Sequence, residues 1–168
     1  ATLVEEGSSK CVFKEYGTGV EFEANMEDIT GNVADPRDLD KVPEDLVETD
    51  EVGETAVLWA IKKKFKEDVI YTNIGTILIA LNPYREIAGL YSDELLESFK
   101  KEATSNKGVE AFDSQPHVWG ISRSAYVHLL NQGGRRQAII ISGESGAGKT
   151  EATKKIMAFL SYVSAASS

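Results

Sequence analysis

One stretch of the sequence combines residue types at a spacing that could bind phosphate. A glycine is followed by four residues and then by Gly-Lys-Thr, which is the pattern of a phosphate-binding loop, or P-loop. In order, its residues are Gly143, Glu144, Ser145, Gly146, Ala147, Gly148, Lys149 and Thr150. The glycines permit turns with positive φ, so consecutive N–H groups can converge on phosphate oxygens. Lys149 would reach the β- and γ-phosphates of a nucleotide, and the Thr150 hydroxyl would take one position on Mg²⁺.

A P-loop needs a strand that enters it and a helix that leaves it, and the sequence predicts both. The run Gln137–Ile141 is rich in β-branched residues and predicts a buried strand. A helix is predicted from about Gly148, because apolar residues recur at helical spacing and would share one face: Ala152, Ile156, Phe159, Leu160 and Val163. Glu151 and Lys155 lie four residues apart and are predicted to pair. The N-terminus of this helix would favour an anion.

Further upstream, the patterns predict a helix and a hairpin. Thr55 is predicted to cap a helix with one apolar face: Val57, Leu58, Ile61 and Phe65. The lysines that crowd its far end are expected to be solvated. Val69–Thr72 and Thr76–Leu81 are predicted to be two strands joined by a tight turn at Asn73–Gly75. Because the second strand is apolar at consecutive positions, we expect both of its faces to be covered.

Two more helices are predicted between the hairpin and the P-loop. Ser92 would cap the first, which carries Leu95, Leu96 and Phe99 on one face. A polar loop at Thr104–Gln115 precedes a short helix at Ser122–Leu130, and Gly133-Gly134 predicts a turn. Strands that alternate with helices predict an α/β fold, with helices packed on a mostly buried sheet.

Composition excludes several classes of function. The 168 residues suffice for one domain with a core, and the net charge of −9 argues against nucleic-acid binding through a basic field. No apolar run approaches 18 residues, so we expect no membrane span. Cys11 is the single cysteine, and His117 and His128 are the only histidines. We therefore expect no disulfide within the chain, no metal site of these types, and a reduced, cytoplasmic setting.

The N-terminal third gives weaker signals. Residues 1–54 hold 16 acidic and 4 basic residues, which is typical of a solvated and partly irregular segment. Short strands are predicted at Val12-Phe13 and at Val20–Ala24, and the acidic stretch around Pro36 and Pro43 predicts a linker. The chain opens on Ala1 without a basic and then apolar leader, so we expect no secretory signal and a fragment of a longer product.

The P-loop alone leaves the reaction open, because nucleotide kinases, GTPases, ATPases and motors all use it. One alternative is a self-contained P-loop phosphotransferase. Such an enzyme would need an acid or base and lid arginines after the loop, whereas Gly148–Ser168 contains no arginine. Another alternative is a non-catalytic truncation product that retains nucleotide binding.

Three stretches resemble the motor domain of myosins. The first is the P-loop together with Glu151, which resembles the myosin loop in its individual residues as well as in its spacing pattern. The second is Ile77–Arg85, with its sequence Asn-Pro-Tyr-Arg, and the third is Pro116–Ser122 followed by Ala-Tyr. The resemblance runs from about Val42 to Val163, with all blocks in the same order. It implies a P-loop NTPase fold of the myosin-motor type, with residues 42–168 forming the N-terminal part of the motor domain.

The resemblance also implies a function and its site residues. It implies an actin-based motor of the cytoplasm and cytoskeleton that couples hydrolysis of ATP, with Mg²⁺, to movement on actin filaments. Asn82 and Pro83 would lie near the adenine, and Tyr91 would pack beside it. Myosins usually have one residue fewer between the Asn-Pro pair and this tyrosine. Residues 1–41 resemble the family poorly, and we expect them to be a remnant of the small SH3-like barrel that many myosins carry.

The resemblance further implies that several parts of the motor are supplied by later sequence. In myosins, the two switch segments and most of the actin-binding surface lie downstream of the P-loop helix, which here runs to the end of the chain. We therefore expect no complete catalytic set among these residues. We also expect this chain to be inactive as an ATPase by itself.

Overall fold

The computed structural model describes residues 2–7, 10–15, 18–25, 42–48, 53–105, 115–131 and 136–166. The predictions for Pro36, for Gly133-Gly134 and for most of the polar loop before Pro116 lie outside the described residues. The elements, in chain order, are β1 (Thr2–Glu6), β2 (Lys10–Lys14), β3 (Glu21–Asn25), a 3-10 turn (Leu46–Glu48), α1 (Glu54–Lys66), β4 (Tyr71–Ile74), β5 (Ile77–Ala80), α2 (Asp93–Thr104), α3 (Val118–Asn131) and α4 (Lys149–Ala166).

The first three strands form an antiparallel sheet in the order β1-β2-β3. Phe13 of β2 lies opposite Phe22 of β3, and their rings stack with centroids 5.8 Å apart. Cys11 on β2 is buried. Both short strands predicted in this acidic segment are therefore confirmed, since each overlaps an observed strand.

Strands β4 and β5 form the predicted hairpin, but its turn is shorter than predicted. Ile74 pairs with Ile77, so the connection consists of Gly75 and Thr76 alone, and Gly75 has a φ of +57°. The expectation that both faces of β5 would be covered is wrong, because Ile77 is 65% exposed. Within the described ranges β4 is the only strand that pairs with β5.

Helix α1 differs from its prediction at both its start and its face. Its N-cap is Gly53, with no side-chain capping bond, so the prediction that Thr55 caps the helix is wrong. Among its described residues Ala60 and Lys64 are buried, whereas Leu58 is 66% and Phe65 39% exposed. The expectation that the lysines near the end of this helix are solvated is therefore wrong at Lys64, whose ammonium donates to the Glu44 carbonyl oxygen at 3.3 Å. Burial lowers the pKa of Lys64, and Glu44 and Asp45 oppose that shift.

Helices α2, α3 and α4 pack together and carry most of the core. The predicted cap of α2 is confirmed, since the Ser92 hydroxyl accepts from the Leu95 N–H at 3.3 Å. The predicted apolar faces of α2 and α4 are confirmed as well. The core residues that these helices and β4 contribute are Tyr71, Phe99, Ala103, Val118, Trp119, Tyr126, Ile156, Phe159 and Val163. The Arg123 guanidinium on α3 pairs with the Glu102 carboxylate on α2 and is almost completely buried.

The segment that enters the P-loop is not a strand. Residues 136–144 belong to neither of the two described sheets, and Ile140 is 89% exposed, so the prediction of a buried strand at Gln137–Ile141 is wrong for the described residues. A β-branched run forms a ladder only where another strand supplies partners. The fold is thus α/β with two small sheets and four α-helices in the described part, and the mostly buried sheet that we expected is not found there.

Candidate nucleotide-binding site

The P-loop connects residues 136–142 to α4, and three of its glycines have positive φ, with Gly143 at +151° and the other two well inside the left-handed region. Gly146 has a φ of +82° and Gly148 a φ of +92°. A side chain at either position would be strained, so the pattern requires glycine there. Helix α4 begins directly after Gly148, and its first bond runs from the Ala152 N–H to the Gly148 carbonyl at 2.9 Å. The earlier N–H groups of the helix have no helical acceptor and can receive an anion.

Lys149 lies folded over the loop. Its ammonium donates to the carbonyl oxygens of Gly143 and Glu144, each at 2.7 Å. The Ala147 N–H donates to the same Glu144 oxygen at 3.2 Å. The Lys149 side chain therefore links two carbonyl groups of its own loop. Its positive charge lies among the backbone groups that a phosphate would contact.

The first turn of α4 also carries Thr150 and Glu151. Thr150 is exposed, and its place in the first turn puts a hydroxyl at the end of the loop. The Glu151 carboxylate binds Lys154 at 2.6 Å, so the predicted pair with Lys155 is wrong. The Lys155 ammonium instead lies 4.0 Å from the centroid of the Tyr91 ring.

A segment after β5 reaches the loop directly, and we call residues 82–91 the strap. The Asn82 side-chain amide donates to the Gly146 carbonyl at 2.7 Å. Its oxygen accepts from the Tyr84 N–H at 2.9 Å, which makes a turn within the strap. The Tyr84 hydroxyl lies 3.4 Å from the same Gly146 oxygen. Pro83 is half-buried in this turn. The resemblance implied roles for Asn82 and Pro83 but none for Tyr84, although Tyr84 lies in the same matching stretch.

The other end of the strap lies against α4. The Tyr91 hydroxyl is 2.7 Å from the Tyr71 hydroxyl, and its ring packs edge-on against His117 and Trp119. Burial, together with the hydrogen bond and the charge interaction with Tyr91, raises the pKa of Tyr71. Tyr91 is thus held by both its hydroxyl and its ring, and the strap contacts the loop at one end and α4 at the other.

A turn inside the strap separates these two contacts. The Leu90 N–H donates to the Ile87 carbonyl at 3.3 Å, and the Ser92 N–H donates to the Gly89 carbonyl at 3.2 Å. Gly89 has a φ of +77°, and a Cβ placed there would meet no atom within 4 Å. Gly89 is exposed, and a side chain placed there would meet no neighbouring atom.

His117 is a structural residue beneath the strap. Its Nδ1 accepts from the Trp119 N–H at 3.1 Å, so Nε2 carries the proton and donates to the Leu90 carbonyl at 3.0 Å. Burial lowers the pKa of His117 to about 4. The hydrogen bond to Leu90 raises this pKa, and the Lys155 charge lowers it further. The ring is neutral and both nitrogens are occupied, so it stabilises the strap rather than a ligand.

Two other features of the described residues bear on binding. A groove of about 550 Å³ is lined by residues of α1, β4, the strap and α2 and by residues 115–117 before α3, and no P-loop residue lines it. Among the same residues, no group of three His, Cys, Asp or Glu side chains could hold a metal ion, and no helix is long and apolar enough to cross a lipid bilayer.

Comparison with known proteins shows one consistent relationship. The family described as myosin head (motor domain) matches residues 43–168, which include the strap and the P-loop. The myosin IC heavy chain of Dictyostelium discoideum is 41% identical over 121 residues, which is 72% of this chain and 10% of the relative. Myosin-1 of Yarrowia lipolytica is 42% identical over 124 residues, covering 74% of this chain and 9% of the relative. The chain therefore spans about a tenth of the length of these curated relatives.

Proposed function

This chain belongs to the myosin motor-domain family, and from that premise we propose that it forms the ATP-binding part of an actin-based motor. The observation that supports this proposal most directly is the position of Lys149. Its ammonium contacts two loop carbonyls at 2.7 Å and has three N–H donors, so one donor can turn to a phosphate oxygen. Charge-assisted bonds of this kind are the strong ones.

The phosphates would be held by the whole loop, Gly143–Thr150. Its N–H groups and the N-terminus of α4 supply fixed partial positive charge, and Lys149 supplies a full charge. The Thr150 hydroxyl would be one ligand of Mg²⁺, an oxygen donor of the kind that this ion prefers. When bound, Mg²⁺ would neutralise charge on the phosphate oxygens.

The adenine would lie on the side of the strap. We assign Asn82 and Pro83 to the wall of the base site and Tyr91 to the ring beside the base. Support for Tyr91 comes from its contact with Lys155, which places its ring against the same helix that leaves the P-loop. The assignment of Asn82 and Pro83 follows from the resemblance to myosins, and the described side-chain contacts of Asn82 are with the loop and with Tyr84.

The steps after ATP binding are assigned to no residue of this chain. Hydrolysis requires a group that positions the attacking water and a further ligand for Mg²⁺. A loop that only holds the phosphates does not lower the barrier, because uniform binding stabilises substrate and transition state alike. We therefore propose that the complete motor, in the cytoplasm and on the cytoskeleton, uses ATP hydrolysis to move on actin filaments, and that this portion supplies the phosphate grip.

The test is an ATPase and binding assay on a motor domain that carries this sequence. Lys149→Ala should weaken ATP binding by about tenfold, which corresponds to ~1.4 kcal/mol, and should abolish the actin-dependent rise in phosphate release. Lys154→Ala is the matched control, because Lys154 lies on the same helix and its ammonium binds only the exposed Glu151 carboxylate among the contacts described here. Equal ATP affinity for the wild type and Lys149→Ala, measured by calorimetry, would refute the assignment.

A further inference from the structure

The side chain of Asn82 contacts the P-loop in a way that a base-binding role does not require. Its amide nitrogen donates to the Gly146 carbonyl at 2.7 Å, and its oxygen accepts from the Tyr84 N–H at 2.9 Å. A Cβ built on Gly148 would lie 3.9 Å from three atoms of the same side chain. Asn82 therefore lies across both left-handed glycines of the loop.

The bond to Gly146 fixes the orientation of one peptide unit. In a trans peptide the carbonyl and the following N–H point in opposite directions. With the Gly146 carbonyl held towards Asn82, the Ala147 N–H points to the opposite side, where it meets the Glu144 carbonyl. The Lys149 ammonium contacts the same Glu144 oxygen at 2.7 Å, so this N–H and the lysine face one common region.

The bond from the Ala147 N–H to Glu144 also restrains this peptide unit, but it joins two residues of the same loop, whereas Asn82 holds the loop from outside. Glycine takes positive and negative φ with similar ease, and a glycine-rich loop therefore loses much conformational entropy when it orders around a ligand. A loop that is already restrained binds its ligand more tightly, because part of that entropy has been lost beforehand.

Asn82 can act as a restraint because its own backbone is anchored. The residue before it, Leu81, donates its N–H to the Ile70 carbonyl at 3.0 Å, which continues the hairpin ladder. The Arg85 guanidinium pairs with the Asp68 carboxylate just beyond α1. The turn that carries Asn82 is thus attached at both ends to elements other than the loop.

We propose that Asn82 is a positioning residue of the P-loop, which orients the Gly146–Ala147 peptide for phosphate binding whether or not a base is present. This inference rests on the proposed function, since it assumes that the loop binds the phosphates of ATP. This role differs from a base contact in one measurable respect. Loss of the Asn82 side chain should also weaken the binding of a ligand that has no base.

The test measures binding of inorganic pyrophosphate and of ATP, both with Mg²⁺, to a motor domain that carries this sequence. Asn82→Ser is the principal variant, because a serine hydroxyl can still accept from the Tyr84 N–H but is too short to reach Gly146. Asn82→Ala removes both bonds. In each variant the affinities for pyrophosphate and for ATP should fall by the same factor, about fivefold, which is the loss expected for one net hydrogen bond.

The matched control is Asn73→Ser, which makes the same substitution in β4, where the Asn73 backbone rather than its side chain makes the described contacts. It should leave both affinities unchanged. Loss of ATP affinity alone would show that Asn82 acts on the base, and unchanged affinity for both ligands would show that it does not act on the loop; either result overturns the inference. Thermal melting checks that the variants fold. If Asn82→Ala does not fold, the test rests on Asn82→Ser.

The same measurements separate this inference from the proposed function. Wild-type protein that binds neither ligand would refute the proposed function and this inference with it. Wild-type protein that binds both, together with an Asn82→Ser variant that binds both equally well, would refute only the positioning role.

Discussion

The Lys155 ammonium lies 4.0 Å from the centroid of the Tyr91 ring, and this contact joins the strap to α4 six residues beyond Lys149. Six residues of α-helix span about 9 Å, so the strap contacts the loop–helix unit at two well-separated points. A cation over an aromatic face contributes about 0.5–1 kcal/mol at exposed sites. A base that stacks on this face of Tyr91 would have to displace Lys155 or share the ring with it.

The first prediction concerns this tyrosine. Tyr91→Ala should weaken binding of ATP more than binding of bare triphosphate, by about 1–3 kcal/mol if the ring packs beside the base. Tyr91→Phe keeps the ring, loses the hydroxyl bond to Tyr71, and should retain most of the difference between the two ligands. Tyr162→Ala, on α4 but bonded to Glu97, is the control. Equal losses of both ligands in Tyr91→Ala would place the base elsewhere.

The second prediction concerns pH. The pKa of His117 is about 4 when folded and near 6.5 when unfolded, so between these pH values the unfolded chain binds more protons. The stability that depends on neutral His117 is therefore complete above pH 6.5 and is lost as pH falls towards 4, by ~3 kcal/mol in total. Between pH 7 and pH 5 the linkage gives about 2 kcal/mol of this loss, which urea unfolding should show in the wild type and in His128→Gln. The same loss in His117→Gln would contradict the assignment.

The third prediction concerns the ion pair between α2 and α3. Glu102→Ala would leave the buried Arg123 charge without its carboxylate and should lower the free energy of unfolding by about 3 kcal/mol. The double variant Arg123→Met with Glu102→Leu should recover most of that loss, because no charge remains to be buried. Glu151→Ala breaks an exposed pair and should have no measurable effect. Denaturant unfolding measures the free energy of unfolding of all three variants. A double variant that is as destabilised as Glu102→Ala would argue against a buried-charge effect.

The fourth prediction concerns the start of α2. Ser92→Ala removes the acceptor for the Leu95 N–H and should destabilise the protein by ~1 kcal/mol, whereas Ser92→Asp should retain the cap. Ser98→Ala makes the same substitution at an exposed position inside the helix and should be neutral or slightly stabilising, because alanine is the better helix former. Thermal melting compares the three variants. A Ser92→Ala variant as stable as Ser98→Ala would mean that the cap is not used.

The features that could be predicted from the sequence are those that depend on neighbouring residues. The P-loop glycines, the cap at Ser92 and the apolar face of α4 each follow from patterns within about fifteen residues, and the structure confirms them. The contact between Asn82 and Gly146 joins residues 64 apart, and no local pattern specifies it. The resemblance singled out Asn82, yet it indicated a base contact and gave no sign of the bond to the loop.

The incorrect predictions share a physical cause. The run Gln137–Ile141 has the composition of a buried strand, but a ladder also needs a partner, and no described strand lies beside it. The predicted buried face of α1 included Leu58 and Phe65, which are exposed. Lys64 is buried instead, and its ammonium donates to the Glu44 carbonyl oxygen. In both cases the outcome depends on a residue or strand that is distant in sequence, and periodicity alone does not contain that information.

The turn at Ile87–Ser92 bears on how the length of this segment can vary among relatives. Asn82 and Tyr91 are each held by specific contacts, and the Leu90 carbonyl is held by His117, whereas a Cβ placed on the exposed Gly89 would meet no atom within 4 Å. A residue inserted or deleted beside Gly89 would lengthen or shorten this exposed turn and leave those contacts in place. Alignments of related myosins should therefore place their gaps at Ala88 and Gly89, and the Asn-Pro pair and the tyrosine should be aligned as two separate blocks.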